Sequence, residues 1–315
     1  SILWIRDNYP DIFNTIRMFG HSNTYIGKWL TGEFAIDPSS ASLTALYNTA
    51  ANDLSWNRDI AQEFDIPLYC LPPVIPSYES LGRLTDELAR DLGFRKRPAV
   101  VIGGNDAVLA AYSVGIEKPG DIVNINGTCE ITMVCLPECV GTPNYNIRAH
   151  ALDNRWLTLY VMNAGGKALE WFRSLFCSEM DADTFFEEFI PSAIEEWLER
   201  ESSVTYIPFL MGSRYSQDPL KAEFRGLTSG TSREEMLVAV IRGLCRYQRE
   251  HLKEVALDLS LADKIHVTGG ALNSAVIQAK KKWLRNCEYI HEKESSVRGA
   301  ALLGLKYLSE RYEYN

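Results

Sequence analysis

The stretch Ala99–Asp106, with the sequence AVVIGGND, carries the pattern that decides the fold. Its apolar first half predicts a short buried strand, and the residues Ala107–Val114 predict a helix directly after it. Gly103 and Gly104 allow a ligand to approach the backbone at the carboxyl end of the strand, where ligands often bind in open α/β sheets. This strand, glycine turn and helix predict an α/β protein with a binding site near Asp106.

Asp106 is the candidate catalytic residue of this stretch. A carboxylate in the first turn of a helix is stabilised in its ionised form by the helix dipole. An ionised carboxylate in a cleft can accept a proton from an attacking hydroxyl group. The same position also suits a residue that only caps the helix, and the spacing alone leaves both interpretations open.

The residues upstream of this stretch predict mainly helices. Apolar periodicity and helix-terminating residues predict them over four segments: residues 2–17, Met18–Leu30, Trp56–Phe64 and Thr85–Leu92. The polar residues Asp37–Ser40 predict a loop between two of these helices.

The residues downstream of Asp106 predict first a group of strands and then alternating helices and strands. Four strand-like runs separated by turn residues predict an antiparallel meander: Asp121–Asn126, Glu130–Cys135, Ile147–His150 and Trp156–Met162. Helices are predicted over Ala168–Phe176, Ala182–Phe189, Ile194–Glu199, Arg233–Leu257, Leu272–Leu284 and Ser295–Glu310. Further strands are predicted over Val204–Leu210, Lys264–Thr268 and Cys287–His291. This order predicts a mixed sheet with helices packed on it.

The composition excludes several classes of protein. The chain has 315 residues with a net charge of -9, which argues against a nucleic-acid-binding protein. No apolar run approaches the ~18 residues that suggest a membrane span. The seven cysteines include no CxxC pair, which favours reduced thiols in a cytoplasmic protein over disulfides or a zinc site.

Three further glycine-containing segments are candidate contacts for phosphate or for a flat ligand. The turn Asn126–Cys129 can offer backbone N–H groups and a threonine hydroxyl, although it also suits an ordinary hairpin. The pair Gly165–Gly166 opens the predicted helix that carries Glu170, and Val267–Ser274 joins a strand to a helix through two glycines. The lysines Lys280–Lys282 are predicted to form a solvated helix face.

Taken together in this order, these segments resemble the FGGY carbohydrate kinases, a family of the actin-like, ribonuclease-H-like ATPase superfamily. The matching segments are spread over nearly the whole chain: Leu30–Phe34, Asp37–Ser39, Leu71–Val74, Gly103–Asp106, Gly127–Thr128, Ile207–Gly212, Phe224–Leu227, Thr268–Ala271 and Glu294–Ala301. The resemblance implies an α/β, ribonuclease-H-like fold with a complete C-terminal, nucleotide-side domain over residues 120–315. Residues 1–119 would be the latter part of an N-terminal, sugar-side domain.

The resemblance also implies an activity and a role for each candidate residue. The activity is ATP-dependent phosphorylation of a small sugar or polyol, with a ketopentose such as xylulose favoured by the similarity of Ala168–Phe172 to xylulokinases. Asp106 would be the general base and a contact of Mg²⁺, and Asn105 with Asp106 would bind the sugar. The nucleotide contacts would be Gly127, Thr128, Gly166, Glu170, Gly269, Gly270 and Ser274. No nucleic-acid or membrane partner is expected, and a homodimer is left open.

The sequence departs from the family pattern in two ways that matter. Asn105 replaces the third glycine that usually precedes the acid, which puts the identity of the sugar in doubt. The family's first phosphate-binding turn, Asp-x-Gly-Thr, does not precede Asp106, and the chain begins at Ser1 rather than at a methionine. We therefore expect an incomplete part of the enzyme that is inactive alone. The alternative is a non-catalytic nucleotide- or sugar-binding protein of the same fold that lacks this turn.

Overall fold

The structure, a computed structural model, describes residues 2–270, 272–292 and 295–312. Ser1 lies outside the described residues, and so do Ala271 and Glu294 of the matching segments. The helices are α1 (Ile2–Asn8), α2 (Pro10–Phe13), α3 (Ser22–Thr31), α4 (Pro38–Ala41), α5 (Arg58–Glu63), α6 (Asp86–Asp91), α7 (Asp106–Ser113), α8 (Gly166–Phe176), α9 (Ala182–Thr184), α10 (Ile190–Trp197), α11 (Arg233–Val255), α12 (Ser274–Trp283) and α13 (Ser295–Tyr312). The strands are β1 (Ser80–Arg83), β2 (Ala99–Val101), β3 (Ile122–Asn126), β4 (Glu130–Leu136), β5 (Asn146–Ala149), β6 (Trp156–Met162), β7 (Thr205–Ile207), β8 (Glu223–Arg225), β9 (Lys264–Thr268) and β10 (Glu288–Glu292).

Several predicted elements differ from those in the structure. The prediction of a loop over Asp37–Ser40 is wrong, because the Asp37 side chain accepts a hydrogen bond from the Ser40 N–H and caps α4. The strand predicted over Val204–Leu210 is shortened to β7, and the helix predicted from Met18 begins only at Ser22. The short strands β1 and β8 were not predicted.

The central sheet has six strands in the order β10-β9-β3-β4-β6-β5. Strands β3, β9 and β10 are parallel, while β4 is antiparallel to both β3 and β6. The predicted antiparallel pairing is present, but a simple meander is wrong because β6 lies between β4 and β5. The carboxyl ends of β3 and β9 lie side by side, so the segments that follow them meet at one edge of the sheet.

Each face of this sheet is covered by a separate hydrophobic core. Ile122 packs with residues of α8, α11 and α12 on one face. The next residue, Val123, packs with residues of α7 and with Leu303 of α13 on the other face, as expected for alternating strand side chains. Helix α13 approaches α7 so closely that a Cβ on Gly299 would lie 2.1 Å from the Leu109 carbonyl oxygen. The helix that starts with Asp106 is thus anchored on this sheet.

The upstream residues contact the end of the edge strand β5 and the start of its neighbour β6. The Ala149 N–H donates to Ser42 Oγ at 3.1 Å, and the Trp156 indole N–H donates to the Thr49 carbonyl at 2.6 Å. Within the described ranges, no helix is long and apolar enough to cross a membrane.

A buried histidine joins the segment after α7 to the end of β5. His150 Nε2 lies 2.7 Å from the Ile116 carbonyl, and the Leu152 N–H donates to His150 Nδ1 at 3.1 Å. Nδ1 accepts, so the proton of the neutral ring is on Nε2 and donates to Ile116. Burial lowers the pKa of His150 from 6.5 to about 4.

We expect His150 to make the protein sensitive to acid. Its folded pKa lies below its unfolded value, so the unfolded state gains a proton first and the free energy of unfolding falls as the pH drops from about 6.5 to about 4. The loss amounts to roughly 3 kcal/mol at most. His150→Gln, which stays neutral, removes this part of the pH dependence in urea unfolding curves measured from pH 7 to pH 4.

The control is His291→Gln, at an exposed position of β10. It is expected to keep the wild-type pH profile. Parallel stability profiles for wild type and His150→Gln would contradict the prediction.

Candidate functional site

Two buried polar residues, Asp37 and Ser39, hold the loop that precedes α7. The Asn105 N–H donates to Ser39 Oγ at 2.8 Å, and the Ser39 hydroxyl donates to the Asp37 carboxylate. Gly104 is so close that a Cβ there would lie 2.9 Å from Ser39 Oγ. Contacts within the chain therefore fix the backbone of this loop.

Asp106 is exposed at the first position of α7. The cap of this helix is Asn105, whose side-chain oxygen accepts a hydrogen bond from the Ala107 N–H at 3.2 Å. The interpretation of Asp106 as the capping residue is therefore wrong. Asp106 Oδ1 also accepts from the Ala107 N–H, at 2.8 Å, which keeps the carboxylate at the positive end of the helix.

The turn Gly127–Thr128 is held at the N-terminus of α8. The Gly166 N–H donates to the Gly127 carbonyl at 2.9 Å, and the Lys167 N–H donates to the Thr128 carbonyl at 3.2 Å. A side chain at Gly165 would be excluded, because its Cβ would lie 2.7 Å from the Glu130 nitrogen. The structure thus brings the predicted contacts Gly127, Thr128 and Gly166 together.

The second glycine segment lies beside this turn. Gly269 has φ +113°, and a Cβ there would lie 2.0 Å from the Asn126 carbonyl oxygen, so only glycine fits. The neighbouring Gly270 has no atom within 4 Å of a Cβ position. Ser274 is the first residue of α12, which Asn273 caps by accepting from the Val276 N–H at 3.0 Å.

Glu170 is the predicted nucleotide contact that the structure leaves outside this cluster. Its carboxylate pairs with Lys167 Nζ at 3.1 Å, and both side chains are about half exposed. An exposed pair of this kind contributes little to stability. Glu170 reaches the turn only through its neighbour Lys167.

Asp106 and the glycine segments belong to different faces of one sheet. Helix α7 packs on the face that carries Val123 and Met133, whereas α8 and α12 pack on the face that carries Ile122 and Val134. No hydrogen bond or ion pair between described residues joins Asp106 to Gly127, Gly166 or Gly269.

The protein supplies one carboxylate at this site, that of Asp106, so Mg²⁺ would be held there only together with phosphate oxygens of a bound substrate. Among the side chains that the structure describes, no group of three or more His, Cys, Asp or Glu could hold a metal ion. Mg²⁺ is often held by one or two carboxylates together with substrate phosphates and water. The exposed carboxylate of Asp106 can serve as such a ligand.

Glu130 and Lys280 are polar residues of this region that the sequence reasoning missed. The prediction that Lys280 lies on a solvated face is wrong: it is buried, and its Nζ lies 2.7 Å from Glu130 Oε1. The signal was present, because Lys280 follows Val276 and Ala279 and precedes Trp283 on the buried stripe of α12. Its neighbours Lys281 and Lys282 are exposed as predicted.

Two models of one known protein family match the chain, one upstream and one downstream. The model described as "FGGY family of carbohydrate kinases, N-terminal domain" matches residues 1–113, and its C-terminal counterpart matches residues 122–307. An autoinducer-2 kinase of Photorhabdus laumondii is 29% identical over 180 residues, which are 56% of this chain and 34% of that protein. A xylulose kinase of Staphylococcus xylosus is 24% identical over 286 residues, 88% of this chain and 57% of that protein. The chain thus spans about a third to just over half of these curated relatives.

Solved structures share the fold. A kinase from Brucella ovis, described as a xyloylose kinase, has a TM-score of 0.86 at 24% identity, covering 98% of this chain and 63% of its own. A Plasmodium falciparum glycerol kinase with ADP has a TM-score of 0.81 at 20% identity, covering 97% of this chain and 62% of its own. These neighbours establish the actin-like, ribonuclease-H-like fold.

The two adjacent glycines of the second segment should respond differently to alanine. Gly269→Ala is expected to lower the free energy of unfolding by about 2 kcal/mol or more, because it combines a positive φ with a clash against the Asn126 carbonyl. Gly270→Ala, the matched control, should stay within about 0.5 kcal/mol of wild type. Urea unfolding of both variants checks this, and equal stabilities would show that the contact of β3 with Gly269 is unimportant.

Proposed function

The chain belongs to the FGGY family of carbohydrate kinases, and we propose that the protein transfers the γ-phosphoryl group of ATP to a hydroxyl group of a small sugar or polyol. The observation that carries the proposal is the match of both family domains to a chain with an exposed acid at the start of α7. Helix α7 packs on the central sheet, and two of the glycine segments follow strands β3 and β9 of that sheet. Phosphoryl transfer depends mainly on positioning and on charge stabilisation, which such an arrangement can supply.

In this proposal, Asp106 is the general base. Its carboxylate accepts the proton of the sugar hydroxyl while the sugar oxygen attacks the γ-phosphorus, and the bond from that phosphorus to the leaving oxygen of ADP breaks. The Asn105 side-chain oxygen is used in capping, so its amide N–H groups remain to bind a sugar hydroxyl.

The glycine segments bind the nucleotide in this proposal. Thr128 contacts the phosphates through its backbone N–H and its hydroxyl group. The Gly127 N–H donates to the Cys129 carbonyl at 2.9 Å, so Gly127 shapes the turn, and Gly166 holds it at the start of α8. Glu170 lies one helical turn further along α8.

Gly269, Gly270 and Ser274 are the proposed adenosine contacts. Gly270 has no atom within 4 Å of a Cβ position, so a flat base can lie against its backbone, while Gly269 packs against β3 and holds the segment beside the phosphate turn. Mg²⁺ bound with ATP would neutralise the phosphate charge that develops during transfer, and Asp106 is its proposed protein contact.

We propose a ketopentose such as xylulose as the acceptor. The Ala168–Phe172 segment and the similarity to a xylulose kinase support this choice. Relatives named autoinducer-2 kinase support a second acceptor, autoinducer-2. A thermal-shift screen against xylulose, other pentuloses, gluconate, glycerol and autoinducer-2 separates these acceptors, because only a bound ligand raises the midpoint of unfolding.

We further propose residues 1–119 as the sugar-side part and residues 120–315 as the nucleotide-side domain. The 315 residues alone should bind nucleotide but show little turnover, because they contain no phosphate-binding turn of the Asp-x-Gly-Thr type. A cytoplasmic location is proposed because all seven cysteines are free, as is usual in reducing compartments.

Asp106→Asn in the full-length protein tests the proposed base. We expect kcat to fall by a factor of about 10² or more, because the amide cannot accept the proton. The affinity for ATP measured without Mg²⁺ should stay within about twofold, because the proposed nucleotide contacts are in the glycine segments. A coupled assay of ADP release measures kcat, and calorimetry measures ATP binding. Asp91→Asn, at the exposed end of α6, is the matched control and should keep wild-type turnover.

Two outcomes would contradict the proposal in different ways. Wild-type turnover by Asp106→Asn would show that another group is the base. Nucleotide binding by the full-length wild type without turnover on any acceptor would favour the non-catalytic binding protein.

A further inference from the structure

The ion pair between Glu130 and Lys280 is almost completely buried. Lys280 Nζ lies 2.7 Å from Glu130 Oε1, and the two side chains are 3% and 6% exposed for Lys280 and Glu130. The Asn124 amide also donates to Glu130 Oε1, at 3.0 Å, and the Gln248 amide donates to the Glu130 carbonyl at 3.3 Å. The carboxylate and the backbone of Glu130 are therefore both held in place.

This pair connects the three segments that are proposed to bind the nucleotide. Glu130 is the first residue of β4, directly after the turn Gly127–Thr128. Lys280 belongs to α12, whose first residue is Ser274. Gly165, at the start of α8, lies so close to Glu130 that a Cβ there would be 2.8 Å from Glu130 Cβ. A shift of either partner would therefore move the adenosine segment relative to the phosphate turn.

The surroundings of the pair are mainly apolar. It borders a cavity of about 30 Å³, whose lining includes Leu169, Ile241, Leu244 and Val276. Burial raises the pKa of the neighbouring Cys245 thiol to about 12. Two charges in such a place lose their hydration, and an apolar pair of the same size is often as stable or more stable. Stability alone is therefore a weak reason for this ion pair.

A surface pair on the same helix shows the contrast. Lys282 Nζ lies 2.6 Å from Glu199 Oε2, but these side chains are 35% and 82% exposed. Water screens this pair because Glu199 is largely exposed. Lys282 also donates to the Leu198 carbonyl at 2.5 Å, so it contacts the chain near the end of α10 and not a glycine segment. It provides a matched control for any effect of removing a lysine from this helix.

We propose that the Glu130–Lys280 ion pair is a positioning element that sets the distance between the adenosine end and the phosphate end of the nucleotide site. The inference rests on the proposed function, because it assumes that these segments bind ATP. Neither residue touches the nucleotide in this arrangement. The strong and directional attraction between the buried charges holds α12 against the first residue of β4, and so holds Ser274 in register with Thr128.

The test uses the double variant Glu130→Gln/Lys280→Met. A single substitution would leave an unpaired buried charge and would disturb folding. In the double variant, the glutamine can still accept from Asn124, and methionine fills the volume of the lysine stem. Calorimetry or competition with a fluorescent nucleotide measures the affinities for ADP, adenosine and pyrophosphate separately, and thermal unfolding is followed alongside.

We expect the double variant to bind ADP about tenfold more weakly than wild type, while adenosine and pyrophosphate each bind within about twofold of wild type. The reason is that each half of the site stays intact and only their relative placement changes. Lys282→Met should bind all three ligands as wild type does. A role confined to stability would instead leave the ADP affinity unchanged in a folded double variant, which would overturn the inference.

Two further results would also overturn it. If the affinities for adenosine and ADP fell by the same factor, the adenosine segment itself would be altered, and not its position relative to the phosphate turn. If the wild type itself bound no ADP, the proposed nucleotide site would fail, and the inference would fail with it. Binding of ADP by wild type and by the double variant with equal affinity would overturn the inference alone.

Discussion

The parallel pairing of β3 with β9 is the constraint on which the rest of the candidate site depends. These strands are 142 positions apart where the Asn126 amide reaches the Thr268 carbonyl. Their close approach is possible only because Gly269 has no side chain facing the Asn126 carbonyl. The pairing brings two glycine segments to one edge of the sheet, and the hydrogen bonds from the start of α8 add a third.

Elements with strong local signals were predicted well. Strand β9 has the predicted bounds, and α11 begins at the predicted Arg233 because the Ser232 hydroxyl accepts from the Glu235 N–H. Elements without such a signal were missed. Strand β1 contains Gly82, and its four residues show no clear alternation of apolar and polar side chains. Its register is also irregular. The Asp-Pro-Ser-Ser composition before Ala41 is typical of a turn, yet proline at the first position and an aspartate cap also start a helix.

In the candidate site, too, residues with a local sequence signal were predicted, and residues that depend on a distant partner were missed. The glycine turns and Asp106 could be found from sequence because each signal is contained in a few consecutive residues. The partner of Lys280 could not, since Glu130 is 150 positions away and a lysine is almost never buried unless it is paired. The buried stripe of α12 predicts that Lys280 faces the core, but nothing local in the sequence says which acid it meets. The packing of α12 on the face of the sheet that carries Val134 of β4 supplies that information, and no local sequence pattern encodes that packing.

The division of the site between the two faces of the sheet has a consequence for specificity. Asn105 and Asp106 are held by Asp37 and Ser39 in the upstream part of the chain and by the packing of α7 on one face. The glycine turns are held by α8, α12 and the Glu130–Lys280 pair on the other face. Because the two groups share few contacts, substitutions near Asn105 can change the acceptor that is bound without disturbing the nucleotide segments. The replacement of the usual third glycine by Asn105 is a change of this kind, since it adds an amide beside the proposed base while Asn105 still caps α7.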